Sequence, residues 1–130
     1  MNNKKIGTQF EQEFCKYLAE HGWWAHFLTP SAGGSQPFDV IAMRGRDVYA
    51  IDCKTCSTDR FTFSRIEDNQ HLAFQRIIWK SDFVKCGIAI LYNDEMYYVP
   101  YDEIMMAMKY RKKSVPLCER YKENVRSCFE

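Results

Sequence analysis

Two strand-like segments, 38–44 and 48–55, are separated by little more than Gly45-Arg46, a two-residue turn of the Gly-X kind that closes tight hairpins. This hairpin constrains the fold more than any other feature. If Arg44 pairs with Asp47, counting outward sets Asp39 directly opposite Asp52. Side chains alternate along a strand, so Asp52 and Lys54 share a face and Cys53 points the other way. Two carboxylates then converge, with Cβ atoms about 5 Å apart, beside one ammonium. Like charges across a ladder are destabilising unless a cation compensates them. Hard oxygen ligands without thiolate or imidazole suit Mg2+, with Mn2+ as a substitute. On spacing alone, an edge hairpin with solvated acids and a salt bridge to Lys54 accounts for the pattern better.

The rest of the chain supplies a mixed α/β setting for the hairpin. Thr8-Gln9-Phe10-Glu11 reads as a capping box at a helix start, with Phe10, Phe14, Tyr17 and Leu18 on one apolar face and Gly22 at its end. Residues 23–28 read as a strand, 29–37 as a loop and 61–63 as a short strand. Ser64-Arg65-Ile66-Glu67 reads as a second capping box, opening a helix that carries Ile66, Phe74, Ile77 and Ile78. A hairpin around Asn93-Asp94 and a Met-rich helix over 101–109 follow. The expected order is helix, three or four strands, helix, two strands, helix, in one domain with its core at about 5–110. Residues 111–130 are a basic extension, helical or loosely attached.

With 130 residues, the chain can bury a real core, and nothing in it reads as a membrane span or an apolar signal segment. An intracellular, cytoplasmic protein is expected, with its six cysteines as free thiols. Cys53 and Cys56 lack the second ligand pair that a structural zinc site requires. The net charge of +1 does not advertise a nucleic-acid binder. Cations are nevertheless grouped, with Lys109, Arg111, Lys112 and Lys113 in one run and Arg44, Arg46, Arg60 and Arg65 through the middle. Such patches can hold phosphates locally, although a solvated face explains any one of these residues. His26, His71 and the Met105, Met106, Met108 cluster read as packing or surface.

Pro37-Phe38-Asp39 followed by Ile51-Asp52-Cys53-Lys54 resembles the PD-(D/E)xK nuclease signature. Gly7-Thr8-Gln9-Phe10-Glu11 is similar to the first helix of the archaeal-type (Hjc-like) Holliday junction resolvases. The loop from Ser31 to Ser35 resembles that family's loop before the first aspartate, and the stretch from Phe61 to Gln70 resembles a segment of both that family and the bacterial RecU-type resolvases. The likeness spans roughly residues 5 to 100. It implies a restriction-endonuclease-like core, a central mixed sheet flanked by helices, and Mg2+-dependent nicking of four-way DNA junctions by a homodimer. It also implies roles for individual residues. Asp39, Asp52 and Glu11 would be metal ligands, Lys54 would serve the transition state, and Gln70 would face the active site. Ser31, Ser35, Arg44, Arg60 and Arg65 are the candidate DNA contacts.

By its own context Glu11 reads as a helix cap, and Gln70 is a polar residue on an apolar helix face that needs partners. Aromatic richness at Tyr97, Tyr98, Tyr101 and Tyr110 suggests an interface. A phage or mobile-element nickase, a restriction-type enzyme, a catalytically silent binding module and a small structural domain are the competing readings. The chain is less basic than such resolvases usually are and lacks the RecU-type arm, which bears on substrate choice more than on chemistry.

Overall fold

A computed structural model describes residues 3–28 and 36–130. Helix α1 (Asn3–Glu20) leads into β1 (Trp24–Phe27), β2 (Val40–Arg44), β3 (Asp47–Cys56) and β4 (Arg60–Thr62). A single 3-10 turn (Phe63–Arg65) precedes α2 (Asp68–Lys80), then β5 (Val84–Tyr92), β6 (Glu95–Pro100) and α3 (Tyr101–Lys109). β7 (Ser114–Pro116) and α4 (Glu119–Phe129) complete the described chain. The main sheet has the order β1-β2-β3-β5-β6, with only the β3–β5 pair parallel, and β4 pairs with β7 in a separate two-stranded ribbon. This is the α/β architecture expected, a central mixed sheet flanked by helices.

Local sequence explains most element ends. α1 stops in a Schellman arrangement, with Gly22 N–H on Ala19 O and Trp23 N–H on Leu18 O, and Gly22 takes φ 85° without the Cβ penalty. Gly45, at φ 60°, turns β2 into β3, and Asn93 and Asp94, both at positive φ, turn β5 into β6.

Neither expected capping box sits where the sequence placed it. α1 is already helical from Asn3, so Thr8 and Glu11 lie inside it, and Glu11 has no helix start to cap. Ser64 lies in the 3-10 turn, and α2 is capped three residues later, where Gln70 Oε1 accepts the Glu67 N–H at 3.1 Å. The S/T-x-x-E pattern is short enough to recur by chance inside a helix.

The sheet has a core on each face. Ala50, Cys86, Ile88, Ile90 and Val99 pack with Phe74 of α2 and with Tyr101 and Ile104 of α3. On the other face Tyr49, Ile51, Cys53 and Tyr98 pack with Phe10, Phe14 and Leu18 of α1 and with Val125 and Phe129 of α4. The C-terminal helix is therefore part of the core, which is not confined to 5–110. Trp23 Nε1 donates to Phe129 O at 2.8 Å, and Tyr17 Oη donates to Glu130 Oε2 at 2.7 Å.

The Tyr98 side chain lies against Gly87 on the neighbouring strand. A Cβ at position 87 would come within 2.6 Å of Tyr98 Cε1 in a ring that is 2 % exposed. Gly87→Ala is expected to cost about 2–3 kcal/mol in urea unfolding, with part recovered in Gly87→Ala/Tyr98→Leu. An alanine variant as stable as the parent would show that this ring is free to move.

Candidate active site

The β2–β3 register is the one read from the hairpin, Arg44 opposite Asp47 and Val40 opposite Ile51. Asp39 then leaves the ladder. Its amide donates to Ile51 O at 3.1 Å, its carbonyl accepts the Leu28 N–H at 2.7 Å, and its Oδ2 accepts the Cys53 N–H at 2.8 Å. Asp39 is thus not a regular cross-strand partner of Asp52. The two carboxyls still converge closely enough for the charge of Asp39 to act on Asp52. Gln36 Nε2 holds the other oxygen of Asp39, and Asn69 Nδ2 of α2 donates to Gln36 O at 3.2 Å.

Asp52 lies on β3 with its side chain fully buried. Gln70 Nε2 donates to Asp52 Oδ1 at 2.9 Å, and Lys54 Nζ stands 3.1 Å from Oδ2. That lysine lies off the line of a good hydrogen bond, so Oδ2 is a buried oxygen without a proper donor. Lys54 Nζ donates instead to Gln70 Oε1 at 3.3 Å. One buried glutamine therefore caps α2, holds Asp52 and orients Lys54.

Burial first, and the charge of Asp39 second, push the Asp52 carboxyl up to about 8, against a smaller opposing pull from Lys54. Half-buried Glu11 is pushed up to about 7 by burial and then by Asp39, again opposed by Lys54. The charge of Asp39 thus acts on both Asp52 and Glu11.

Two of the buried oxygens left without a hydrogen bond, Asp52 Oδ2 and Gln36 Oε1, lie here. Among the described residues no three His, Cys, Asp or Glu side chains are drawn together tightly enough to hold a metal ion. The donor set is accordingly a carboxylate pair with Glu11 behind it. Its all-oxygen chemistry, an Asp52 oxygen without a hydrogen bond and a repulsion that Lys54 offsets only in part fit a hard divalent cation.

The remaining sequence candidates scatter. Arg44 is committed to structure, with Nη1 donating to His21 O at 2.8 Å and Phe129 O at 3.2 Å and its guanidinium over the Trp23 ring. Arg60 and Arg65 are exposed beyond the C-terminal end of β3. Arg65 Nη1 donates to Thr55 O at 2.5 Å, and Arg60 Nε donates to Ser114 Oγ at 3.0 Å. Ser31 and Ser35 lie outside the described residues. Tyr97, Tyr98 and Tyr101 are core residues, and only Tyr110 of the four suggested interface tyrosines is exposed. Sequence reasoning missed Gln36, whose position before Pro37 carries no signal of its own. No helix among the described residues is long and apolar enough to cross a membrane.

Comparison with known proteins agrees with this fold. A family model described as archaeal Holliday junction resolvase (hjc) matches residues 2–117. A curated relative from Methanocaldococcus jannaschii, named crossover junction endodeoxyribonuclease Hjc, is 28 % identical over 93 residues, 72 % of this chain. The match spans 64 % of that relative's length. The structure of Archaeoglobus fulgidus Hjc, a Holliday junction resolvase, superposes with a TM-score of 0.62 at 23 % identity, covering 85 % of this chain and 88 % of that one. At that identity the superposition speaks for the fold, while the family match spans nearly the whole chain. The chain belongs to the archaeal Holliday junction resolvase (hjc) family.

Proposed function

We propose that this chain is a metal-dependent endonuclease that hydrolyses phosphodiester bonds in branched DNA, four-way junctions above all, inside the cell. The observation that carries this reading is the buried Asp39–Asp52 carboxylate pair with Lys54 and Gln70 on the same site. Family membership and the name of the M. jannaschii relative support the choice of substrate. Asp39 and Asp52 would hold Mg2+, with Mn2+ as a substitute, and Glu11 would complete the donor set. Bound there, the cation supplies Lewis acidity toward a phosphoryl oxygen and lowers the pKa of a water.

Lys54 is placed to stabilise the charge that builds on the phosphorus or to orient the attacking water. Gln70 is a positioning residue, since it touches Asp52 and Lys54 rather than the substrate. Ser31 and Ser35 would approach the scissile phosphate, and Arg60 and Arg65 the flanking backbone. Arg44 is left out because its guanidinium is already engaged. The test is cleavage of a labelled four-way junction beside a linear duplex of the same sequence, with and without Mg2+. Metal-dependent nicks in the junction alone are expected, and equal cutting of both substrates would discard the junction preference.

A homodimer is part of the same proposal. Leu72 and Trp79 of α2 and nearby Phe83 are exposed, Trp79 by 85 %, and so are the cross-strand neighbours Trp24 and Met43. A single chain leaves these large apolar groups in water, and pairing would hide them. Sedimentation is expected to show a dimer for the parent and a monomer for Trp79→Asp. A monomeric parent at micromolar concentration would remove paired cutting.

A further inference from the structure

Lys109, Arg111, Lys112 and Lys113 form a run with no acid from Ile104 to Cys118, in a chain whose net charge is only +1. The fold displays this run and places it close to the catalytic end of β3. α3 ends in a Schellman arrangement, with Arg111 N–H on Met108 O at 2.9 Å and Lys112 N–H on Ala107 O at 3.0 Å. The residue in the left-handed conformation is Arg111, at φ 63°, where glycine would carry no Cβ penalty. A cation thus occupies a position that backbone energetics would give to glycine.

From there Lys113 O accepts the Phe63 N–H at 2.9 Å, which ties the turn to the 3-10 segment. That segment ends in Arg65, whose guanidinium bonds Thr55 O, one residue beyond Lys54. The adjoining ribbon alternates strictly. Phe61 and Val115 are buried, while Arg60 and Thr62 point outward and Ser114 accepts a hydrogen bond from Arg60.

Two grooves with Arg60 in common follow the same path. One of about 500 Å³ is lined by Thr55, Ser57, Thr58, Arg60, Thr62 and Arg65. Another of about 650 Å³ shares Arg60 and adds Lys112, Lys113 and Ser114. Within the second, Glu103 is neutralised by Arg120 at 2.7 Å. Among the described residues neither Lys112 nor Lys113 takes part in an ion pair.

We infer that the β4–β7 ribbon and the turn after α3 form a second DNA surface, which grips the backbone of a duplex arm leading away from the cut site. The inference rests on the DNA-cutting reading and names which part of the substrate this surface holds. Exposed lysines with hydroxyls interleaved suit phosphates rather than base edges, so the grip is independent of sequence.

The test is binding of fluorescein-labelled DNA by anisotropy, with Ca2+ in place of Mg2+, over a range of salt. The substrates are a four-way junction with long arms, one with short arms, and a linear duplex. Lys112→Ala/Lys113→Ala is expected to lower the slope of log affinity against log salt by about 1.8, at about 0.9 per phosphate contact. It is also expected to remove the advantage of long arms over short ones. The charge-reversed Lys112→Glu/Lys113→Glu should weaken binding further, and Lys85→Ala, at the opposite end of the sheet, should leave the slope unchanged. Thermal melts of all variants separate lost binding from lost folding. An unchanged slope and arm-length dependence in both lysine variants would overturn the inference. A wild type that binds junction and linear duplex equally, while the lysine variants still lose slope, would keep this surface and discard the junction reading.

Discussion

Asp52→Asn is expected to lower metal-dependent cleavage about a thousandfold while making the metal-free protein more stable at high pH. The two effects share one cause. In the folded chain the Asp52 carboxyl is raised from 3.8 to about 8, chiefly by burial and then by Asp39. Below about pH 4 it is protonated whether the chain is folded or not, and it costs nothing. As pH rises toward 8 the unfolded chain ionises freely and the folded chain resists, so stability falls; above pH 8 the loss levels off. Asparagine has no such loss. Half the shift would correspond to about 3 kcal/mol, ample for urea unfolding in chelator at pH 4.5 and 8.5. The variant should gain on its parent much more at pH 8.5 than at pH 4.5. An equal difference at both pH values would show that Asp52 titrates as an ordinary surface acid.

Gln70→Ala should produce the second large effect, with the opposite sign on stability. The substitution leaves the Glu67 N–H without its cap, Asp52 Oδ1 without its donor and Lys54 Nζ without its acceptor. Unsatisfied groups of this kind cost about 2 kcal/mol together at the least. Misplaced catalytic groups lower turnover roughly a hundredfold. Gln70→Glu separates the two roles. Its carboxylate can still accept from the Glu67 N–H and from Lys54, but ionised it cannot donate to Asp52. Stability is expected to recover at acid pH and to fall as the new carboxyl ionises beside Asp52. Full cleavage activity in Gln70→Ala would remove it as a positioning residue.

Much of this centre was legible in the chain because it is built from local rules. A Gly-X turn fixes a hairpin register, and alternation puts Asp52 with Lys54 and sends Cys53 into the opposite core. Gln70 was legible as a polar side chain on an apolar helix face, which had to find partners. Asp39 was harder: its carboxyl reaches Asp52 after its backbone has stepped out of the ladder, and no counting rule anticipates that step. Arg44 was misleading because its partners, at His21 and Phe129, lie 23 and 85 residues away. Of the ribbon that displays Lys112 and Lys113, β4 was legible as a short strand at 61–63, while its three-residue partner β7 was too short to announce itself. Aromatic residues were equally ambiguous. Tyr98 and Tyr101 fill the core while Trp79 faces water, and only packing across the sheet decides which is which.

Everything proposed for catalysis rests on a divalent ion held by Asp39 and Asp52, and this can be measured without any DNA. Mn2+ titrated into the free protein at pH 8.5, followed by loss of the free-ion EPR signal, should show one site per chain. Asp39→Asn and Asp52→Asn should each abolish it, and Glu11→Gln should weaken it. Undiminished Mn2+ binding in both aspartate variants would contradict the account, since the buried carboxylate pair would then not be the metal site.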